Sequence, residues 1–163
     1  ELQILVSAAS SLEPGLVESA VEKYGNDLVV EIVRGGADKT FERSTILLAA
    51  SGTVTLEAAF AGKPTVVVYR VSPLSGQLGK ALIRVDYACL VNLVAGRELL
   101  PELLQDNATA ENICRKIDEM LDDPERLRRL SKQLIAIRRA FGGPGASRRV
   151  ADIALNMIDE KRT

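Results

Sequence analysis

The octapeptide Ala50-Ser51-Gly52-Thr53-Val54-Thr55-Leu56-Glu57 holds the residue types most able to do chemistry in this chain. A small turn opens into a helix that carries a carboxylate about one turn in. Gly52 lets a ligand approach the backbone, and Ser51 and Thr53 offer hydroxyls beside the unpaired N–H groups of a helix start, where the dipole favours phosphate. Glu57 is spaced to accept hydrogen bonds from a vicinal diol such as a ribose. The combination suits a sugar nucleotide. It equally describes a plain capped helix after a strand.

A second polar set lies in Val91-Asn92-Leu93-Val94-Ala95-Gly96-Arg97-Glu98, read as a largely apolar loop. Asn92 could read a ligand amide or hydroxyl, and Arg97 could clamp a diphosphate with its fork of donors. The alternative has Asn92 ending a strand, Gly96 turning the chain and Arg97 pairing with Glu98 or Glu102 on the surface.

These residues need a scaffold, and through residue 84 short apolar runs alternate with helical stretches, the pattern of βαβ units and a parallel sheet. Strands are expected at 2–6, 28–33, 45–50 and 65–69, the last a strongly β-branched run. Helices are expected from the Glu13-Pro14 step to Tyr24, stopped by Gly25-Asn26, then over 38–44 and 53–61, with Gly62-Lys63-Pro64 ending the third. Gly35-Gly36 reads as a turn. Ligands of an open parallel sheet sit at the carboxyl ends of its strands, so Ser7 to Ser11, Arg34 to Gly36, Ser51 to Glu57 and Arg70 to Ser72 should share one edge. A first strand with no βα unit before it suggests that an N-terminal portion is missing.

From Thr109 the chain reads as helical: a helix capped by Thr109 with Ile113, Ile117, Met120 and Leu121 on one face, a break at Asp123-Pro124, and a helix burying Leu127, Leu130, Leu134, Ile137 and Phe141. Gly142-Gly143-Pro144-Gly145 ends it, and Ser147 is expected to cap a last helix with Val150, Ile153, Ala154, Met157 and Ile158 inward. The division is thus a Rossmann-like unit over 1–108 and a helical segment over 109–163, packed on it or exchanged in a dimer. From Arg126 to Arg149 there are eight Lys or Arg residues and no Asp or Glu. That run could attract an anionic membrane surface or be a solvated helix face. Nucleic acid is not expected, because no aromatics interleave with the basic residues.

Composition agrees with one ordinary domain: 163 residues, 47% hydrophobic, formal net charge −1. No signal peptide or apolar run of about 18 residues is seen, so a cytoplasmic chain, or the soluble part of something larger, is expected. Cys89 and Cys114 read as reduced, small apolar residues. Histidine is absent, which removes the commonest general base and zinc ligand.

Four blocks in register closely resemble lipid-A-disaccharide synthase: residues 50–59, Gly62-Lys63-Pro64-Thr65-Val66-Val67-Val68-Tyr69-Arg70, Asn92 to Glu98, and Pro101-Glu102-Leu103-Leu104-Gln105. The resemblance covers nearly the whole chain. It implies the C-terminal half of a GT-B glycosyltransferase, an α/β fold with a Rossmann-like parallel sheet, truncated at its N-terminus and followed by a helical tail. The implied reaction passes the sugar of UDP-2,3-diacylglucosamine to lipid X, with inversion, to give lipid A disaccharide 1-phosphate and UDP, and needs neither metal nor other cofactor. By position, Ser51, Gly52, Thr53, Glu57, Tyr69 and Arg70 would bind the nucleotide, while Asn92 and Arg97 would serve catalysis near the donor.

The resemblance further implies a homodimer at the inner face of the inner membrane, and acceptor binding by an N-terminal domain and a Pro-Gly-Ser-Arg loop that this chain does not contain. The fragment alone should bind donor without turnover. Val91 stands where the family usually has proline. Another GT-B UDP-sugar enzyme, an epimerase of UDP-GlcNAc, or a non-catalytic helical interaction module are the competing readings.

Overall fold

A β-branched run flanked by a proline and a charge has little choice but to be a strand, and Thr65–Tyr69 is one, buried on both faces at Val66 and Val67. In the computed structural model, which describes residues 2–25, 28–70, 86–141 and 145–160, it is the fourth of five strands. The chain runs β1 (Gln3–Ala8), α1 (Leu16–Tyr24), β2 (Val29–Arg34), α2 (Ala37–Arg43), β3 (Leu47–Ala50), α3 (Thr53–Phe60) and β4 (Thr65–Tyr69). It continues with α4 (Leu90–Ala95), β5 (Glu102–Leu104), a 3-10 turn Gln105–Asn107, α5 (Ala110–Leu121), α6 (Pro124–Ile137), a second 3-10 turn Arg138–Phe141, and α7 (Ala146–Glu160).

All strand pairs are parallel, and the fold is α/β of the Rossmann-like kind. The strands do not form the single sheet expected from the sequence. β1 pairs with β2 in one sheet, and β3-β4-β5 form another, with Ala50 opposite Val68 and Tyr69 opposite Leu104. Alternation of apolar residues fixes which segments are strands but not which neighbours they take, so this order was out of reach of the pattern.

The three-stranded sheet is covered on both faces. Val67 packs with Ala59 of α3, Val91 of α4, Leu100 and Leu134 of α6, whereas Val66, on the opposite face, packs with Leu103 and Met120 of α5. Phe41, Leu47 and Ala58 form a smaller cluster under α2 and α3. The two-stranded sheet is barely covered: Leu2, Leu28 and Val29 are exposed, and Glu18 and Arg34 join α1 to β2 by an ion pair.

Helix boundaries follow local chemistry. Gly62 takes the left-handed conformation (φ +69°) as the residue after the Ala61 cap, as its Gly-Lys-Pro context predicts. Thr109 caps α5 by accepting from the Asn112 N–H, and Asp123 caps α6 by accepting from the Arg126 N–H, with Pro124 in the first turn. Two start signals misled: α1 begins at Leu16 after a left-handed Gly15 rather than at Pro14, and Ser147 lies inside α7. Asn26, Ser72 and Gly142 to Pro144 lie outside the described residues. Helices α5 and α6 pack on the three-stranded sheet. In α7, whose apolar positions are expected to face inward, Val150, Ile153, Leu155, Met157 and Ile158 are all more than half exposed among the described residues.

Candidate functional site at the carboxyl edge of the three-stranded sheet

Pairing of β3 with β4 continues one residue beyond the strand, because the Ser51 N–H donates to Val68 O (3.2 Å). Ser51 therefore sits beside the end of β4, where Tyr69 and Arg70 are both exposed. The turn at Ser51-Gly52 then opens into α3. Gly52 is extended (φ 167°), so the backbone needs no glycine for its angle, and a Cβ built there would meet nothing within 4 Å. Its value is open space. The N–H groups of Gly52, Thr53 and Val54 donate to no acceptor among the described residues, and no side chain caps the helix. Thr55 turns inward instead, its hydroxyl donating to Gly52 O (2.7 Å). Glu57, one turn on, is exposed, and its carboxylate makes no hydrogen bond or ion pair among the described residues. An anion at the helix start and a diol beside the carboxylate fit this arrangement.

The residues 91–98 are not a loop. They begin in α4, which starts at the carboxyl edge and runs away from it. The start is clasped there: the Ser51 hydroxyl donates to Ala88 O (3.1 Å), and the Glu102 carboxylate accepts from the N–H groups of Ala88 (2.8 Å) and Cys89 (3.1 Å). Asn92 is fully buried in the middle. Its Oδ1 accepts from the N–H groups of Leu99 (2.8 Å) and Leu100 (2.9 Å), and its Nδ2 donates to Leu100 O (2.7 Å) and to Glu102 (2.7 Å). Every hydrogen-bonding position of the amide is used inside the chain, so Asn92 does not face a ligand as its sequence context suggested. It holds the returning strand β5 and, through Glu102, the start of α4.

Arg97 also departs from expectation. It follows the left-handed Gly96 (φ +64°) at the far end of α4, exposed, and pairs with neither Glu98 nor Glu102. There it lines a groove with α5 and α6, away from Ser51. Glu102 is the residue that sequence reasoning undervalued; it stood in the Pro-Glu-Leu-Leu-Gln block, but its bonds to residues 88, 89 and 92 leave no local signal. The cysteines are free as expected, Cys89 buried and Cys114, contrary to the apolar reading, exposed.

A doubly covered parallel sheet whose carboxyl edge carries an open glycine turn leading into a helix makes this a Rossmann-like α/β domain, consistent with the fold of a GT-B C-terminal domain. The lipid-A-disaccharide synthetase family model matches residues 1–156, and the chain belongs to that family. The lipid-A-disaccharide synthase of Geobacter metallireducens is 40% identical over 99% of this chain and 41% of its own length. Those of Geobacter sulfurreducens and Rhodospirillum centenum are each 37% identical over 99% of this chain and 41% and 40% of theirs. The chain thus spans about two fifths of the length of the curated relatives it matches. No helix among the described residues is long and apolar enough to cross a membrane.

Proposed function

We propose that this chain is the donor-binding half of an inverting GT-B hexosyltransferase and that it holds the UDP of UDP-2,3-diacylglucosamine at Ser51 to Thr53 and Glu57. The observation that carries the reading is the start of α3, where the N–H groups of Gly52, Thr53 and Val54 have no acceptor among the described residues and a Cβ at Gly52 would meet nothing within 4 Å. They bind the diphosphate and stabilise it as it departs, while Glu57 accepts from the ribose hydroxyls. Tyr69 and Arg70 flank the nucleotide from the end of β4. Asn92 acts as a positioning residue, keeping residues 88–89 against Ser51, and Arg97 takes no part in donor binding.

The whole enzyme joins the donor sugar to lipid X, giving lipid A disaccharide 1-phosphate and UDP. The acceptor site and the general base are supplied by a second domain outside this chain, so the chain alone binds donor without turning it over. The divided sheet supports that reading. One parallel strand added between β1 and β3 would give the order 3-2-1-4-5-6 of a doubly wound fold and bring its switch point beside Ser51. The exposed Leu2, Leu28 and Val29 at the start of the two-stranded sheet and the exposed apolar residues of α7 support burial against that second domain or a second copy in a homodimer at the cytoplasmic face of the inner membrane.

Calorimetry with UDP tests the site. Wild-type chain should bind, Glu57→Ala should lose at least about tenfold in affinity, as expected for a hydrogen-bonded charge, and Gly52→Ala should bind weakly while unfolding at the wild-type midpoint, because its Cβ fills only the ligand's space. Unchanged affinity in both variants would remove this corner from the donor site. The exposed apolar face of α7 favours a second reading, a non-catalytic interaction module, for which dimerisation without any nucleotide signal would be the mark.

A further inference from the structure

The groove that receives Arg97 lies between α5, α6 and residues 97–101 and has a volume of about 330 Å³. Its rim carries Arg97, Lys116, Arg126 and Arg129 against Glu98 and Glu119, an excess of two positive charges in a chain whose formal net charge is −1. The acids are already spoken for in part. Glu119 accepts from Lys116 (2.6 Å) and from Arg115, and Arg129 lies 3.9 Å from Asp123. The guanidinium groups of Arg97 and Arg126 have no ion-pair partner among the described residues, and both residues are exposed. The lining also includes the apolar Leu99, Met120, Leu127 and Leu130, together with Gln133.

We propose that this groove binds the phosphate of an anionic lipid headgroup, with Arg97 and Arg126 as its two ligands and the methylenes next to the phosphate resting on Met120 and Leu127. The inference rests on the peripheral-membrane part of the function proposed above and is independent of the donor site. The guanidinium forks of Arg97 and Arg126, both on the lining, match the oxygens of a phosphodiester, and Leu99, Met120, Leu127 and Leu130 add apolar surface beside them. The volume suits a headgroup and a few carbons rather than a whole acylated lipid, which leaves the chains in the bilayer. Charge continues outward from the groove along α6 and the turn after it, where Lys132, Arg138 and Arg139 are exposed and without an acidic neighbour in sequence.

The test is flotation of the 163-residue chain with vesicles of phosphatidylcholine alone or with added phosphatidylglycerol, in parallel with the double variants R97Q/R126Q and R138Q/R139Q. Both variants lose the same charge from exposed positions, and circular dichroism checks that each retains the wild-type unfolding midpoint. Binding to the anionic vesicles that falls roughly tenfold or more in R97Q/R126Q, and clearly less in R138Q/R139Q, supports the proposal. Equal losses in the two variants would leave membrane attraction standing as diffuse charge and overturn the groove. No flotation of wild-type chain on anionic vesicles would overturn both. Titration with inorganic phosphate separates the remaining source: saturable phosphate binding lost in R97Q/R126Q, without flotation, would make the groove a site for a soluble phosphate and overturn the lipid assignment.

Discussion

Replacing Asn92 by alanine should be among the most destabilising single changes in this chain. The amide oxygen satisfies the N–H groups of Leu99 and Leu100, of which Leu100 is fully buried and Leu99 nearly so, and the amide nitrogen serves Leu100 O and Glu102. An alanine leaves both buried donors unpaired at about 1–3 kcal/mol each, and adds a small cavity. Allowing for partial rescue by water or local shift, the expected loss is about 3 kcal/mol, set against a typical domain stability of roughly 5–15 kcal/mol. For a chain of this size that corresponds to a fall in Tm of about 10 °C. The assay is urea unfolding followed by far-ultraviolet circular dichroism, since the chain has no tryptophan. Asn92→Asp sharpens the reasoning. It keeps an acceptor for Leu99 and Leu100 but sets a carboxylate against Glu102 and Leu100 O, which raises the folded-state pKa of the new acid. Its stability should therefore improve as pH falls through that raised value, because the protonated acid regains a donor. A loss under about 1 kcal/mol in Asn92→Ala would refute the assignment of Asn92 as a buried brace.

Two further expectations concern packing and charge away from the candidate site. Gly62→Ala would force its Cβ to 2.8 Å from Ile135 Cδ1 and 2.9 Å from Ser131 Oγ at a left-handed backbone, so a loss of about 2–3 kcal/mol is expected; adding Ile135→Ala should recover the steric part only, and full recovery would contradict the conformational argument. Arg43 grips Glu31 with two hydrogen bonds (2.6 and 2.5 Å), and that hydrogen bonding, with the charge of the guanidinium, holds the Glu31 carboxyl below its ordinary range. The pair contributes stability above the unfolded-state pKa and loses it as pH falls through the depressed folded value; Arg43→Gln should raise the Glu31 pKa in an NMR titration, and an unmoved pKa would dissolve the pair.

Much of the scaffold could be read from neighbouring residues alone. Thr65 to Tyr69 are β-branched or aromatic and flanked by a proline, so the strand is found to the residue, and Gly62 announces its left-handed turn through the proline that follows. What failed were features held by distant partners. β5 is three residues long with one buried side chain, too short to show a period. α4 is six residues, and its buried Asn92 makes a short helix look like an apolar loop with a ligand-reading amide, because the amide's partners lie seven to ten residues ahead. The chemistry of Arg97 was legible in its type. Its location was not, since that depends on the direction in which α4 crosses the sheet.

That direction has a functional consequence. α4 is a strut between two surfaces: its first turn is clasped to Ser51 through residues 88–89 at the carboxyl edge, and its last turn delivers Arg97, through Gly96, to the groove between α5 and α6. Asn92 stands between them and bonds to the strand that closes both. The two proposed sites should therefore separate cleanly under exposed substitutions and jointly under the buried one. Glu57→Ala reaches only the nucleotide, R97Q/R126Q reaches only the vesicle, and loosening Asn92 moves both ends of the strut at once. A diphosphate at one end and a lipid phosphate at the other would then be read by one rigid element, which is the arrangement needed to hold a soluble leaving group in fixed relation to a membrane surface.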